Sequence, residues 1–288
     1  MRDTASNNIL ELFGYPTESD ENRIWDNIIS DQICLFTHTR CFKVRKSQPE
    51  ISIGTCAVKY GRDKKNIIIC PNRLLERKQV FTDCLQLLSL HEPGNELHVV
   101  SEISVPGGSV DYFLVSARDR KVKDFAAIEF QTLDTTGTVW PERQRLLSNF
   151  GITLNDSQIQ SSKTFGMNWK MTAKTILVQL HHKIETFENV NKHLVLIVQD
   201  CLLEYMSREF NFDHLHSPAR IGDSMHIHSY SLKDHKGFFR LDLNSRLSTD
   251  ANGISVCLGL QTEARVELDH IIKELEKKIS ENTLLTIG

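Results

Sequence analysis

Between residues 74 and 199 the apolar pattern changes period three times, and this limits the available folds more than any other feature. Residues 74–90 carry Leu74, Val80, Phe81, Cys84, Leu87 and Leu88 at helical spacing, and the run His91-Glu92-Pro93-Gly94 stops them. Three β-like runs follow, at 96–105, 109–117 and 125–133. Pro106-Gly107-Gly108 separates the first two, and the charged stretch 118–123 reads as a hairpin loop between the last two. The polar stretch 134–166 reads as a long loop. Ala173, Ile176, Leu177, Leu180, Ile184 and Phe187 then restore the helical period over about 168–187, and 194–198 is a purely aliphatic run. Helix, three strands, helix, strand is the order of a mixed sheet with helices against its faces.

The rest of the chain is less regular. Residues 7–14 and 24–29 read as short amphipathic helices and 202–210 as another helix. Residues 238–243 and 254–260 read as strands, and 263–280 as a closing helix striped by Leu268, Ile271, Ile272, Leu275 and Ile279. A 40% apolar and 25% charged composition over 288 residues suits one large globular domain or two smaller ones and excludes disordered and collagen-like classes. The longest aliphatic run is far short of a membrane span, and residues 1–10 hold no apolar signal core, so a cytoplasmic protein without a membrane role is expected.

The net charge of −3 conceals an asymmetry. Residues 1–31 hold two basic and seven acidic side chains, whereas residues 40–78 hold eleven basic and three acidic ones, a local net of +8. Such a segment suits a polyanionic partner, or else a solvated surface.

Two constellations carry possible chemistry. Asp111 starts the second β-run, Glu129 and Gln131 share one face of the third, and Glu102 lies near the end of the first. Neighbouring strands would gather these four at one end of the sheet, where acids beside apolar neighbours need a partner such as a hard divalent cation. Magnesium is served by one or two carboxylates with water and a phosphate oxygen, an arrangement suited to phosphodiester hydrolysis. In that reading Asp111 and Glu129 hold Mg2+ with the Phe130 carbonyl, Gln131 orients the attacking water, and Glu102 assists. The alternative is a sheet edge bearing ordinary solvated acids.

The second constellation is Cys34, Cys41, Cys56 and Cys70, in a short basic segment with little core of its own. Four thiolates there fit a closed tetrahedral zinc or iron site that would supply the missing stability, although no tight Cys-x-x-Cys pair is present. The alternative is four buried free thiols. His38 is a spare ligand, and Cys84, Cys201 and Cys257 read as core.

Cys34-x6-Cys41, Gly54-Thr55-Cys56 and Ile69-Cys70-Pro71-Asn72-Arg73 are followed by Glu102-Ile103-Ser104-Val105, Val110-Asp111 and Glu129-Phe130-Gln131-Thr132-Leu133-Asp134. Together they resemble the NotI-type restriction endonucleases over roughly residues 30–135. Beyond residue 135 the resemblance is only a matching order of elements.

The resemblance implies an α/β, restriction-endonuclease-like PD-(D/E)xK core with glutamine in place of the usual lysine. It places iron, or zinc by the reading above, at Cys34, Cys41, Cys56 and Cys70, and a Mg2+ site at Glu102, Asp111, Glu129 and Gln131. Residues 1–73 then form a helical and four-cysteine metal-binding region, and 74–288 the nuclease domain. The implied activity is Mg2+-dependent double-strand cleavage at a specific, palindromic sequence in double-stranded DNA. A homodimer and a cognate DNA methyltransferase in the same system go with it. A repair or structure-specific nuclease, or a non-catalytic DNA-binding protein with a metal-bound knuckle, would use many of the same residues. Arg143, Arg145, Lys163, Lys170 and Lys174 are candidates for DNA contacts, and Trp140 for a wedge or minor core. His226 and His228 are possible ligands if they lie on one strand face.

Overall fold

The computed structural model describes residues 8–18, 24–152 and 164–259, together with 272–273 and 276–277. Most of the expected closing helix at 263–280, and Lys163, lie outside the described residues. The chain is a mixed α/β protein with six α-helices among the described residues. Its first part contains β1 (Ile9–Leu12), β2 (Tyr15–Pro16), α1 (Trp25–Asp31), β3 (Val44–Arg45), β4 (Gln48–Ser52), β5 (Thr55–Tyr60) and β6 (Lys65–Ile68). A broken series of 3-10 turns over 71–87 follows, enclosing α2 (Gln79–Thr82). Next come β7 (Glu96–Val105), β8 (Gly108–Arg118), β9 (Lys121–Gln131), β10 (Thr135–Thr136), α3 (Trp140–Asn149), β11 (Gly166–Met167) and α4 (Trp169–Asn189). The last elements are β12 (His193–Gln199), α5 (Asp200–Glu209), β13 (Met225–His235), β14 (Phe238–Thr249) and α6 (Ala251–Cys257).

Six strands form the central sheet in the order β14-β13-β12-β9-β8-β7. β12 runs parallel to both β9 and β13, and the other pairs are antiparallel. The reason for the aliphatic run is visible in β12. Leu194, Leu196 and Val198 point into one core, shared with Ile176, Leu177, Leu180 and Ile184 of α4. Val195 and Ile197 point into the other, shared with Leu74, Val80, Phe81, Cys84 and Leu87. A strand covered on both faces has no place for polar residues.

The smaller sheet, β2-β1-β5-β6, packs against this frame. Ile9, Leu12, Phe13, Val58 and Ile67 belong to the same core as the α4 face of the large sheet. The Gln199 amide clasps the backbone of β6, accepting from the Ile68 N–H at 2.8 Å and donating to the Asn66 carbonyl at 2.5 Å.

Several elements differ from expectation for identifiable reasons. Residues 9–12, expected within a helix, are β1, buried along its whole length between β2 and β5. The helix expected over 74–90 is broken where Arg77 and Lys78 take positive φ (50° and 55°). The charged hairpin loop is only Asp119-Arg120, both at positive φ as a tight two-residue turn requires. The long loop contains α3, whose polar residues Glu142, Arg143 and Gln144 are buried. Within the strand expected over 254–260, the described residues 254–257 are helical instead: the Asp250 side chain accepts from the Gly253 N–H at 2.8 Å and caps α6. His226 and His228 lie on one strand, β13, among other buried polar residues.

Candidate active site

The hairpin register positions the carboxylates. Tyr112 pairs with Ile128, so one further step along the ladder brings Asp111 abreast of Glu129. The Phe130 N–H donates to Asp111 Oδ2 at 2.8 Å and fixes that carboxylate at the C-terminal end of β9. Glu129 is 4% exposed. Burial pushes its carboxyl up to about 7; the Lys183 hydrogen bond opposes this, and the neighbouring Asp111 charge adds to it. Two carboxyl groups that perturb each other at close range are an arrangement from which a cation or a shared proton removes strain.

On β7, Glu102 stands between the pairs Ser101↔Tyr112 and Ile103↔Val110, opposite Asp111. Its φ of 54° is unusual for a non-glycine residue within a strand, and such outliers concentrate at functional sites. Glu102 and Asp111 line one cleft of about 340 Å3 with Phe42, Pro71, Asn72, Tyr112 and Phe130. Burial first, then the charges of Asp111 and Glu102, pushes the Tyr112 hydroxyl up. The basic segment therefore borders this cleft, through Phe42, Pro71 and Asn72.

Gln131 is half-buried, and its amide donates to the Thr132 carbonyl at 2.6 Å. It is not among the residues lining the cleft. The cation beside Glu129 comes instead from Lys183 of α4, whose Nζ lies 2.6 Å from Glu129 Oε1 and 2.5 Å from the Ser109 carbonyl. Sequence reasoning missed Lys183. The available signal was a lysine one residue before Ile184, on a helix whose apolar stripe faces the sheet.

Among the described residues, no group of three or more His, Cys, Asp or Glu is arranged to hold a metal ion. The Asp111–Glu129 pair still fits Mg2+, which needs only one or two carboxylates when waters and a phosphate complete its shell. The four cysteines are all buried and unbridged, and Cys56 and Cys70 are in contact. A hydrogen bond to Cys70 and burial push the Cys56 thiol up, while that same bond, Lys43 and the Asn72 and Arg73 N–H groups hold Cys70 down. Burial raises Cys41, and the nearby Cys70 and Cys34 add to the effect. The donor set thus suits a thiophilic metal, but the thiols would have to draw together to enclose one.

Other candidates have structural roles. Arg143 is 2% exposed and donates to the Ile53 carbonyl at 2.6 Å and to Gln144 at 2.7 Å, so it does not face a DNA partner. Trp140 is buried, with the Arg45 and Arg143 guanidinium groups 4.6 and 4.7 Å from its ring centre. His226 and His228 share a face of β13, buried against His193 and Cys84. Among the described residues no helix is long and apolar enough to cross a membrane. Comparison with protein-family models and with curated proteins finds no match.

Proposed function

We propose that this chain is a Mg2+-dependent nuclease with a PD-(D/E)xK-type core, acting on double-stranded DNA in the manner of the NotI-type restriction endonucleases it resembles. The observation that carries this reading is the meeting of Asp111 and Glu129 on adjacent strands at the rim of a mixed sheet. It is supported by the cleft that Asp111 shares with Glu102, which Phe42, Pro71 and Asn72 of the basic segment also line and which Glu129 does not itself line. A magnesium ion held by Asp111 and Glu129 would polarise the scissile phosphate and ease deprotonation of a water. The protein's part is placement. The Phe130 N–H orients Asp111, Glu102 faces it across the β7–β8 ladder, and Phe42 and Tyr112 form apolar walls. Gln131 acts in this reading by turning its amide from Thr132 toward the attacking water. Iron or zinc at Cys34, Cys41, Cys56 and Cys70 belongs to the same proposal, with elemental analysis of the purified protein as its test.

Incubation with genomic and plasmid DNA in Mg2+ tests the main reading. Discrete fragments support site-specific restriction, with a homodimer and a cognate methyltransferase in the same system. Preference for branched or damaged DNA moves the reading to repair, and Mg2+-independent binding without cleavage moves it to a non-catalytic DNA-binding protein. Glu129→Ala is expected to lower cleavage by about 10^3-fold while leaving DNA binding largely intact. Unchanged cutting by that variant would remove Glu129 from the mechanism.

A further inference from the structure

We infer that Lys183, supplied by α4 rather than by the strands, is the positioning cation of the carboxylate site. The inference rests on the nuclease reading above and deepens it. Lys183 is 5% exposed, so its ammonium occupies a place where an unpaired charge would be costly. Two oxygens fix it: Glu129 Oε1 at 2.6 Å and the Ser109 carbonyl at 2.5 Å. It thereby ties Glu129 on β9 to the start of β8, beside Asp111.

The β7–β8 turn is shaped for this approach. Gly107 has φ +93°, and a Cβ there would lie 2.1 Å from the His182 carbonyl oxygen. Gly108 has φ +136°, and its Cβ would lie 3.1 Å from Lys183 Cε. The Thr186 hydroxyl donates to the Pro106 carbonyl at 3.2 Å, docking α4 on the same turn. Two glycines thus let a helix come close enough for a lysine stem to cross the hairpin and reach the carboxylates. The position two residues after Glu129 offers no such charge, because Gln131 is neutral and engaged with Thr132.

The ammonium offsets part of the repulsion between Asp111 and Glu129 and holds Glu129 in place before substrate arrives. Preorganised charge of this kind acts on the transition state without reorganisation at the moment of reaction. Lys183 also competes with a metal ion for Glu129 Oε1. Its removal should therefore damage cleavage without weakening metal binding, which a general loss of structure would not do.

The test compares the full-length wild type with Lys183→Met, Lys183→Gln and Lys183→Arg. Plasmid cleavage is measured in Mg2+, and Mn2+ binding is measured by calorimetry without DNA. Lys183→Met is expected to cut about 10^2-fold more slowly at saturating DNA, with its KM little changed. It should bind Mn2+ at least as tightly as the wild type, and Lys183→Arg should recover part of the rate. If Lys183→Met does not fold, Lys183→Gln carries the same comparison, because it keeps a donor for the two oxygens. Cleavage within about threefold of wild type overturns the inference. So does loss of cleavage and Mn2+ binding together, which marks Lys183 as structural only. A wild type that cuts no DNA overturns the nuclease reading itself, whereas a cutting wild type with an equally active Lys183→Met overturns the lysine inference alone.

Discussion

Two buried glutamates, Glu11 and Glu129, show how similar chemistry serves different ends. Both carboxyls are pushed up to about 7, with burial the largest cause and a paired cation opposing it. Around Glu11 the polar groups are closely matched. Arg73 Nε reaches both Glu11 oxygens at 3.1 and 2.8 Å, Nη1 reaches Glu76 at 3.0 Å, Nη2 reaches the Phe239 carbonyl at 2.9 Å, and the guanidinium stacks on Phe36. Around Glu129 a lysine meets one carboxylate oxygen while a second acid, Asp111, stands beside it at an open cleft. A perturbed carboxylate therefore does not mark a site by itself; negative charge left over beside solvent does. Size does not mark it either, since the cleft over the Glu11–Arg73 knot, about 460 Å3, is the larger of the two.

The sharpest way to break this contrast is to exchange its symptoms. Asp111→Asn is expected to reduce cleavage by about 10^3-fold while leaving unfolding free energy within about 1 kcal/mol of wild type. Arg73→Ala should do the reverse. Leaving Glu11 buried without its partner should cost about 3–5 kcal/mol in urea unfolding, and any residual folded fraction should cut normally. If Arg73→Ala is stable but inactive, the knot is part of the site and the distinction fails.

A smaller effect is expected at the turn that admits α4. Gly107→Ala forces a left-handed φ on alanine and drives its Cβ onto the His182 carbonyl, so a loss of roughly 2 kcal/mol is expected, with slower cleavage as Lys183 is displaced. Stability at wild-type level would mean that the turn yields easily and sets nothing.

An effect that appears only on acidification concerns the buried histidines of β13. Burial is the first cause holding His226 down to about 4 and His228 down to about 3, helped by neighbouring histidine or Arg246 charges. Both are neutral in the fold and take up protons on unfolding below their ordinary value of 6.5. Their stabilising effect is full above that value and is lost as pH falls toward 4, by about 1.4 kcal/mol per pH unit for each group. His228→Leu should flatten the fall of the melting temperature between pH 6.5 and 4, and an unchanged slope would show that this ring does not govern acid lability.

Much of the central sheet is legible in the residues. β7, β8, β9, α4 and β12 lie close to where alternation and helical spacing put them, because each carries its apolar residues at one clear period. Elements with mixed signals were misread. α3 buries Glu142, Arg143 and Gln144, so its polarity points to the loop expected over 134–166. α6 was misread because the β-branched Ile254 and Val256 suggested a strand, although the Asp250 cap and packing on α4 decide for helix.

The same division runs through the site. The order of residues alone determined that Asp111, Glu129 and Glu102 belong to neighbouring strands, because strand period and short hairpins are local properties of the chain. Only the tertiary structure decided that Glu129 is paired from α4, that Gln131 turns to its own backbone, and that the four cysteines are buried without forming a closed shell among the described residues. Those facts depend on how closely a helix and a distant segment approach the sheet, and side-chain volumes packed across both cores set that distance.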